Sequence, residues 1–482
     1  MSTDVPAPDA ATPDAATPDA AASNAATPEV PAAEVAAAEV AAPEVGSMRE
    51  SPIWDRYTIG DIQAKASLGR YRITGFSLHR AIPRLDDLVF LPAAMTRLPL
   101  EGYRERCETK TVLGARHGCA KPLELSVPVY ITSMSFGALS WNAKAALGRA
   151  ASAIGTCTCT GEGGMLTEER EESSLLVYQM TPSRYMLDLE HLRQADAIEV
   201  ALGQGAKPGT GGLLPGAKVA DRVAEMRTLP KNIDQRSAVR HPDFLGADDM
   251  EVKLEELRIA TDNQVPIFVK MPATRVREDV KIAAKIGADV IVVDGMEGAT
   301  GASPELLLDH TGVPTIAAVA AAREALEEIG LYGEVNLVVS GGIRSGTDAA
   351  KALALGADAV AIGTAGLIAL NCNAPIYQDA YAALGTAPGF CHHCHTGRCP
   401  VGIATQEPEL VERLAVEAAA ERVENFINAM VMEMTLLAKA CGKGDVHGLE
   451  PEDLRALTIE AAAMARVPLA GTDWVPGRDG RW

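Results

Sequence analysis

Basic residues are in deficit along this chain of 482 residues: 44 Lys and Arg stand against 64 Asp and Glu, a formal net charge of −20. That balance argues against a nucleic-acid partner, whose phosphates call for a basic footprint. Aromatic residues are scarce at 4%, so the core must be built from Ala, Val, Leu and Ile. No run of about 18 apolar residues occurs, so no membrane-spanning helix is expected. There is also no G-x-G-x-x-G fingerprint in a strand–helix–strand setting, which a dinucleotide fold would place at its first turn. Nine cysteines are few for this length, and several are tightly clustered. They read as metal or redox ligands in a reducing, cytoplasmic compartment rather than as disulfide staples.

Residues 1–48 hold no basic residue and eight acidic ones, in repeats of PDAAT and AAEV. Such a stretch buries too little to offset its ordering entropy, so a disordered Ala/Pro/acidic tail is expected over 1–48. Without a basic n-region ahead of an apolar core, it does not read as a signal peptide. Residues 49–126 read as an N-terminal cap, with a strand near Asp86–Leu91 and two isolated thiols, Cys107 and Cys119.

From residue 127 apolar runs alternate with helix-forming stretches. The runs fall at 127–133, 155–160, 196–201, 266–271, 289–294, 313–317, 335–340 and 358–362. Eight strand–helix units in series point to the α/β class, a (β/α)8 TIM barrel over 127–371. A doubly wound open sheet would carry its glycine pattern at the first turn; here the glycine pairs come late. Gly341-Gly342 and Gly363-Thr364 end the seventh and eighth strands, where such barrels bind phosphate against helix N-termini. A long insertion over 203–248, without helices of its own, is expected to be functional. A Cys-rich loop over 372–406 and a helical extension over 407–482 follow, the latter with helices at 409–441 and 451–466.

Active-site residues of a barrel lie at the C-terminal strand ends. Those ends hold Met134 and Ser135, Glu162, Gln204 and Lys207, Lys270, Asp294 and Gly295, Gly341 and Gly342, and Gly363 and Thr364. A phosphate site with Lys270 on the fourth strand suits FMN, because the cation stabilises the anionic reduced ring. Glu162 is a candidate proton donor and Lys207 a candidate carboxylate clamp. Cys391, Cys394 and Cys399, spaced C-x2-C-x4-C ahead of Pro400, read as ligands of an iron–sulfur cluster. Three thiols suit a three-iron cluster (3Fe-4S), and Cys372 is a possible fourth ligand for four irons. Zinc on the same thiols plus a histidine is the alternative. Cys157 and Cys159 alternate on one strand and read as small packing residues.

Together, Met134–Ser140, Thr160–Gly164, Gln204–Gly209, Asp294–Ser303, Ser340–Arg344 and Cys394–Gly402 resemble the flavin-binding domain of the glutamate synthases, over roughly residues 80–440. The resemblance implies FMN bound by Ser135, Gln204, Lys270, Gly342 and Gly363, with Glu162 and Lys207 facing the substrate and a three-iron cluster alongside. It implies reduction of 2-iminoglutarate, formed from 2-oxoglutarate and ammonia, with electrons from ferredoxin or NADPH. One departure concerns the cluster: the family spacing C-x5-C-x4-C puts its first Cys at Pro388, and Cys391 is offered instead. No nucleophilic Cys follows Met1, and no Gly-rich β-helix repeat follows the barrel. The chain is therefore most similar to the free-standing barrel subunits, the C subunits, of the N-methylglutamate synthases. By that likeness it would join glutaminase-like and β-helix-like chains in a hetero-oligomer. Methylamine and L-glutamate would then give N-methyl-L-glutamate and ammonia by imine exchange at the α-carbon, with no external reductant. A zinc-holding scaffold without chemistry is the contrasting reading.

Overall fold

The computed structural model describes residues 51 and 53–477, so the expected tail at 1–48 lies outside the described residues. The chain divides into two compact units, residues 1–59 and 60–482, and the barrel lies in the second.

Eight parallel strands make one nearly closed sheet. They are β1 (Val129–Ile131), β2 (Thr158–Cys159), β3 (Leu176–Met180), β4 (Ala197–Ala201), β5 (Ile267–Pro272), β6 (Val290–Asp294), β7 (Asn336–Ser340) and β8 (Ala359–Ile362). Neighbours pair in chain order, and β8 pairs with β1. The remaining seam, between β1 and β2, carries a bond from Ile131 N–H to the Cys157 carbonyl at 3.1 Å. Each strand leads to a helix: α1 (Trp141–Ile154), α2 (Thr167–Glu172), α3 (Leu189–Gln194), α4 (Ala247–Ala260), α5 (Val276–Lys285), α6 (Thr315–Glu328), α7 (Gly346–Ala354) and α8 (Thr364–Ala369). This is the (β/α)8 barrel.

The count of eight strands holds, but one member differs. Residues 313–317 are not a strand: Pro314 precedes the first turn of α6, and the Ala-rich run beyond it continues as helix. The overlooked strand is β3, whose apolar pattern is interrupted by Gln179. The strand expected to be third is thus β4, and Lys270 sits on the fifth strand rather than the fourth. The insertion does have elements of its own. Helix Asp221–Arg227 lies within it, and Leu213–Leu214 pairs with Gln235–Arg236. The helix expected over 409–441 is broken into Pro408–Val411 and α9 (Val416–Ala440). Asn142 Nδ2 occupies the break by donating to the Val411 and Leu414 carbonyls. Residues 451–466 are not one helix either: Leu454–Ala456 is a strand paired with Leu88–Phe90, and only Ile459–Ala465 is α-helical.

Two pieces determine which end of the barrel is open. The hairpin of Thr111–Leu113 and Leu123–Leu125 packs Leu113, Leu123 and Leu125 against the inward-facing Tyr130, Cys157, Cys159 and Phe268. Gly114 N–H donates to Asn336 Oδ1 at the start of β7, so this plug closes the N-terminal end. Cys157 and Cys159 are packing residues inside it, and burial pushes both thiols up. At the other end, strand Ile73–Phe76 pairs with Thr300–Pro304 and leaves a cavity beneath. Among the described residues no helix is long and apolar enough to cross a membrane.

Candidate functional site

The cavity at the C-terminal strand ends has a volume of about 1080 Å³. Met134, Ser135, Glu162, Gln204, Lys207, Lys270, Asp294, Gly341, Gly342, Gly363 and Thr364 all line it. Gly295 lies behind the wall, where its N–H donates to the Ser340 carbonyl at 2.8 Å.

Lys270 is 4% exposed and belongs to a connected polar group on four strands. Its Nζ donates to Thr132 Oγ1 and Ser133 Oγ, both at 3.0 Å. Gln179 Nε2 donates to Ser133 Oγ and to Glu199 Oε1, each at 2.7 Å. Burial opposes the lysine's charge, but Glu199, Asp294 and the Cys159 thiol outweigh it and hold its pKa above the ordinary value. A fixed cation therefore faces the cavity from below, as a reduced flavin ring needs.

One end of the cavity is built from the turns that follow β4, β6 and β7. Asp294 Oδ2 accepts from Gly205 N–H at 2.7 Å, and its Oδ1 accepts from Ser340 Oγ at 2.6 Å. Both carboxylate oxygens thus tie the β4, β6 and β7 turns together. Glu297 Oε2 accepts from Thr315 N–H at 2.8 Å and lies against Gly342. Gly342 has φ +73°, and a Cβ there would sit 2.7 Å from Glu297 Cβ, so both conformation and space call for glycine. Gly363, Thr364 and Ala365 line the cavity where α8 begins. The first N–H groups of a helix have no partner within it, so this corner could hold a phosphate.

On the opposite side the insertion brings cations to Glu162. Glu162 Oε2 accepts from Ser237 Oγ at 2.6 Å and lies 4.0 Å from Arg227 Nη1. Buried Arg227 also donates to the Phe136 and Glu162 carbonyls, and its Nε has no hydrogen-bond partner among the described residues. Burial lowers the Lys207 pKa to about 8, with Glu162 pulling the other way. A carboxylate and two buried cations on one wall suit an amino-acid or oxo-acid substrate.

The Cys loop meets the cavity beside Lys218. Cys372 and Cys394 line it, while Cys391 and Cys399 stand behind. The four thiols are electrostatic neighbours. Burial and then the thiols of Cys394, Cys399 and Cys391 push Cys372 up, and burial followed by Cys399 raises Cys394 to about 11. Among the described residues no three His, Cys, Asp or Glu side chains close on the single point a mononuclear metal needs. Thiols that act on one another electrostatically, three of them in a stretch, Cys391–Cys399, that contributes no carboxylate, are nonetheless of a chemistry suited to iron and sulfide. Lys218 Nζ donates to the Ala138 carbonyl at 2.7 Å and the Cys394 carbonyl at 3.0 Å, joining this loop to the cavity wall.

Gln179, Glu199, Lys218, Arg227 and Ser237 were not expected from the sequence. Gln179 interrupts an otherwise apolar Leu176–Met180, which hides the strand it sits on; the others act through contacts distant in sequence.

Residues 83–444 match the family described as the conserved region in glutamate synthase. A glutamate synthase large subunit-like protein of Rhizobium meliloti (strain 1021) is 54% identical over 430 residues, covering 89% of this chain and 97% of the relative. The archaeal glutamate synthase (NADPH) of Methanocaldococcus jannaschii is 34% identical, covering 86% of each chain. Among solved structures, the recombinant flavin-binding domain of baker's yeast flavocytochrome b2 is 19% identical with a TM-score of 0.47, covering 82% of this chain and 80% of that one. The chain belongs to the glutamate synthase family.

Proposed function

We propose that the cavity binds FMN and exchanges the amine of a five-carbon dicarboxylic acid, with methylamine and L-glutamate giving N-methyl-L-glutamate and ammonia. The carrying observation is the wall that sets Lys207 and Arg227 beside Glu162, in the same cavity as Lys270. Two cations match the two carboxylates of glutamate, and Glu162 is placed to move a proton at the nitrogen of the α-carbon. Gly341, Gly342, Gly363 and Thr364 would hold the phosphate, Met134, Ser135 and Gln204 the ring, and Lys270 its electron-rich edge. FMN, when bound, supplies an acceptor and donor of hydride. Cys391, Cys394 and Cys399 would hold an iron–sulfur cluster, which supplies one-electron exchange. Ala238 and Val239 follow Ser237 in the cavity wall and offer apolar contact to the methyl group of an alkylamine. Glutaminase-like and β-helix-like chains are the proposed partners, and the relative named as large subunit-like supports an assembly of subunits.

A second reading takes ammonia as the nitrogen source and reduces 2-iminoglutarate with ferredoxin- or NADPH-derived electrons. The relatives named archaeal glutamate synthase (NADPH) support it. One experiment separates the two. The assembly is reduced anaerobically, 2-oxoglutarate is added with ammonium and methylamine together, and the product is identified by mass. N-methylglutamate as main product supports the first reading. Glutamate alone overturns it in favour of the second.

A further inference from the structure

The turns that end β1 and β2 meet behind the cavity, and a lysine outside the cavity lining binds both. Lys144 lies on the buried face of α1 and is 1% exposed. Its Nζ donates to the Met134 carbonyl at 2.7 Å, the Cys159 carbonyl at 2.9 Å and the Thr160 carbonyl at 3.1 Å. It also pairs with Glu169 Oε1 of α2 at 2.5 Å. The two turns touch each other directly: a Cβ on Gly161 would lie 2.4 Å from Ser135 N and 2.6 Å from the Met134 carbonyl carbon.

We propose that Lys144 is a positioning residue that fixes these two turns relative to each other, and so sets the spacing between Ser135, on the cofactor side, and Glu162, on the substrate side. The proposal rests on reading the cavity as a flavin and amino-acid site. The carbonyls that Lys144 holds belong to the residues just before Ser135 and just before Gly161-Glu162. An ammonium carries three protons, which lets one group bridge two strands at once; no neutral side chain of similar length offers as many. The first two strands are also the seam of the barrel, where no strand ladder forms among the described residues and the crossing bonds are few, Ile131 N–H to the Cys157 carbonyl and Thr156 Oγ1 to the Val129 carbonyl among them, so a cross-link just beyond it has most to hold. Glu169 serves the lysine by balancing its charge. Burial pushes the Glu169 carboxyl up to about 7 against the pull of Lys144. Removing Lys144 alone leaves the Glu169 carboxyl without its partner in the interior, whereas Glu169→Gln leaves the ammonium its three carbonyl acceptors. Removing both charges leaves a neutral, unlinked pair of turns, and that variant isolates the cross-link.

The test uses Lys144→Met with Glu169→Gln, and Glu169→Gln alone, in the full chain. FMN affinity is read from flavin fluorescence, and amide hydrogen exchange is followed in peptides spanning the two turns. The double variant is expected to bind FMN about tenfold more weakly and to exchange about tenfold faster at the turns alone, as loss of hydrogen bonds to a charged group implies. Glu169→Gln keeps the lysine–carbonyl bonds and is expected to match the parent in both measurements. Unchanged FMN affinity in the double variant overturns the proposal, and so does a loss in Glu169→Gln as large as in the double variant. If the double variant does not fold, a tenfold loss of affinity in Glu169→Gln still overturns it, and parental affinity supports it. If the parent binds no FMN, the flavin reading fails, and exchange at the turns alone decides for or against Lys144.

Discussion

Ser237 Oγ donates to Glu162 Oε2 at 2.6 Å, while Gln235 Nε2 donates to the same hydroxyl at 3.0 Å. A hydroxyl has one proton, so its polarity is settled: Ser237 accepts from Gln235 and gives to Glu162. Arg227 Nη1 in turn donates to Gln235 Oε1 at 2.7 Å. The insertion after β4 thus reaches Glu162 through a directed chain that begins at a buried guanidinium.

Ser237→Ala should therefore free Glu162 without emptying the cavity. Loss of a hydrogen bond to a charged group, roughly 1.5–3 kcal/mol, predicts about a tenfold or greater fall in the rate of flavin reduction by glutamate. The substrate KM should change little, since Lys207 and Arg227 are untouched. Stopped-flow bleaching of the flavin measures the rate; a parental rate would remove Ser237 from the proton path.

This chain of contacts also shows where sequence reading ends. Glu162 and Lys207 were legible because they lie in the segments that follow strand ends, and Lys270 because it is a charged residue in the C-terminal half of an apolar strand; eight strand ends define a face. Gly341-Gly342 and Gly363-Thr364 were legible because tight turns leave a compositional mark. Ser237 and Arg227 reach the site from a strand and a helix inside the insertion, whose pairing depends on contacts absent from local pattern. Gln179 was hidden for a different reason. It puts a polar side chain toward Ser133 and Glu199 in a strand otherwise apolar, and that blurred the strand itself. The run at 313–317 misled in the opposite direction, since a β-branched stretch beside Pro314 is also a sound helix start.

Lys207 gives a pH dependence with a definite sign. Its folded pKa is about 8, below the ordinary 10.5, because burial disfavours the ammonium. Between those values the unfolded chain binds the extra proton, so this group makes stability rise with pH from about 8 to 10.5. Substrate capture runs the other way, since the cation is lost as pH rises through about 8. The KM for the dicarboxylic acid should climb above that pH, and Lys207→Met should raise KM at neutral pH and flatten the alkaline limb. Initial rates from pH 6 to 10 check both; an alkaline limb that survives in Lys207→Met would assign it to another group.

Lys270→Met keeps the bulk of the side chain and removes its charge. The Ser133, Gln179 and Glu199 group then loses its cation, and Glu199 becomes a buried carboxylate with only amide support. Breaking such a buried arrangement costs roughly 3–5 kcal/mol of stability, so the melting temperature should fall. Flavin that stays bound should be harder to reduce, because the charge that stabilises the reduced ring is gone. A redox titration against a dye of known potential measures it. An unshifted potential would mean that the ring lies away from Lys270.

The Cys loop allows a sharper test, because its four thiols are not equivalent. Cys391, Cys394 and Cys399 come from one short stretch, and Lys218 pins that stretch through the Cys394 carbonyl. Cys372 arrives from the far side of the loop, just beyond α8, and its sulfur accepts from Asn373 Nδ2 at 3.3 Å. Asn373 is itself committed: its Oδ1 accepts from the N–H groups of Gly389 at 2.9 Å and Cys391 at 3.4 Å. On the proposed cluster reading, that arrangement would make Cys372 part of the scaffold around the loop and leave three thiols to serve as ligands, the number a three-iron cluster takes. Anaerobically purified protein should carry iron and sulfide with broad visible absorption beneath the flavin bands. Cys394→Ser should lose the iron. Cys372→Ser should keep it, with an electron paramagnetic resonance signal unchanged in type. Loss of iron in Cys372→Ser as complete as in Cys394→Ser would make Cys372 a fourth ligand and the cluster a four-iron one. Stoichiometric zinc in place of iron would instead make the loop a structural metal site, and FMN would then have to work without a one-electron neighbour.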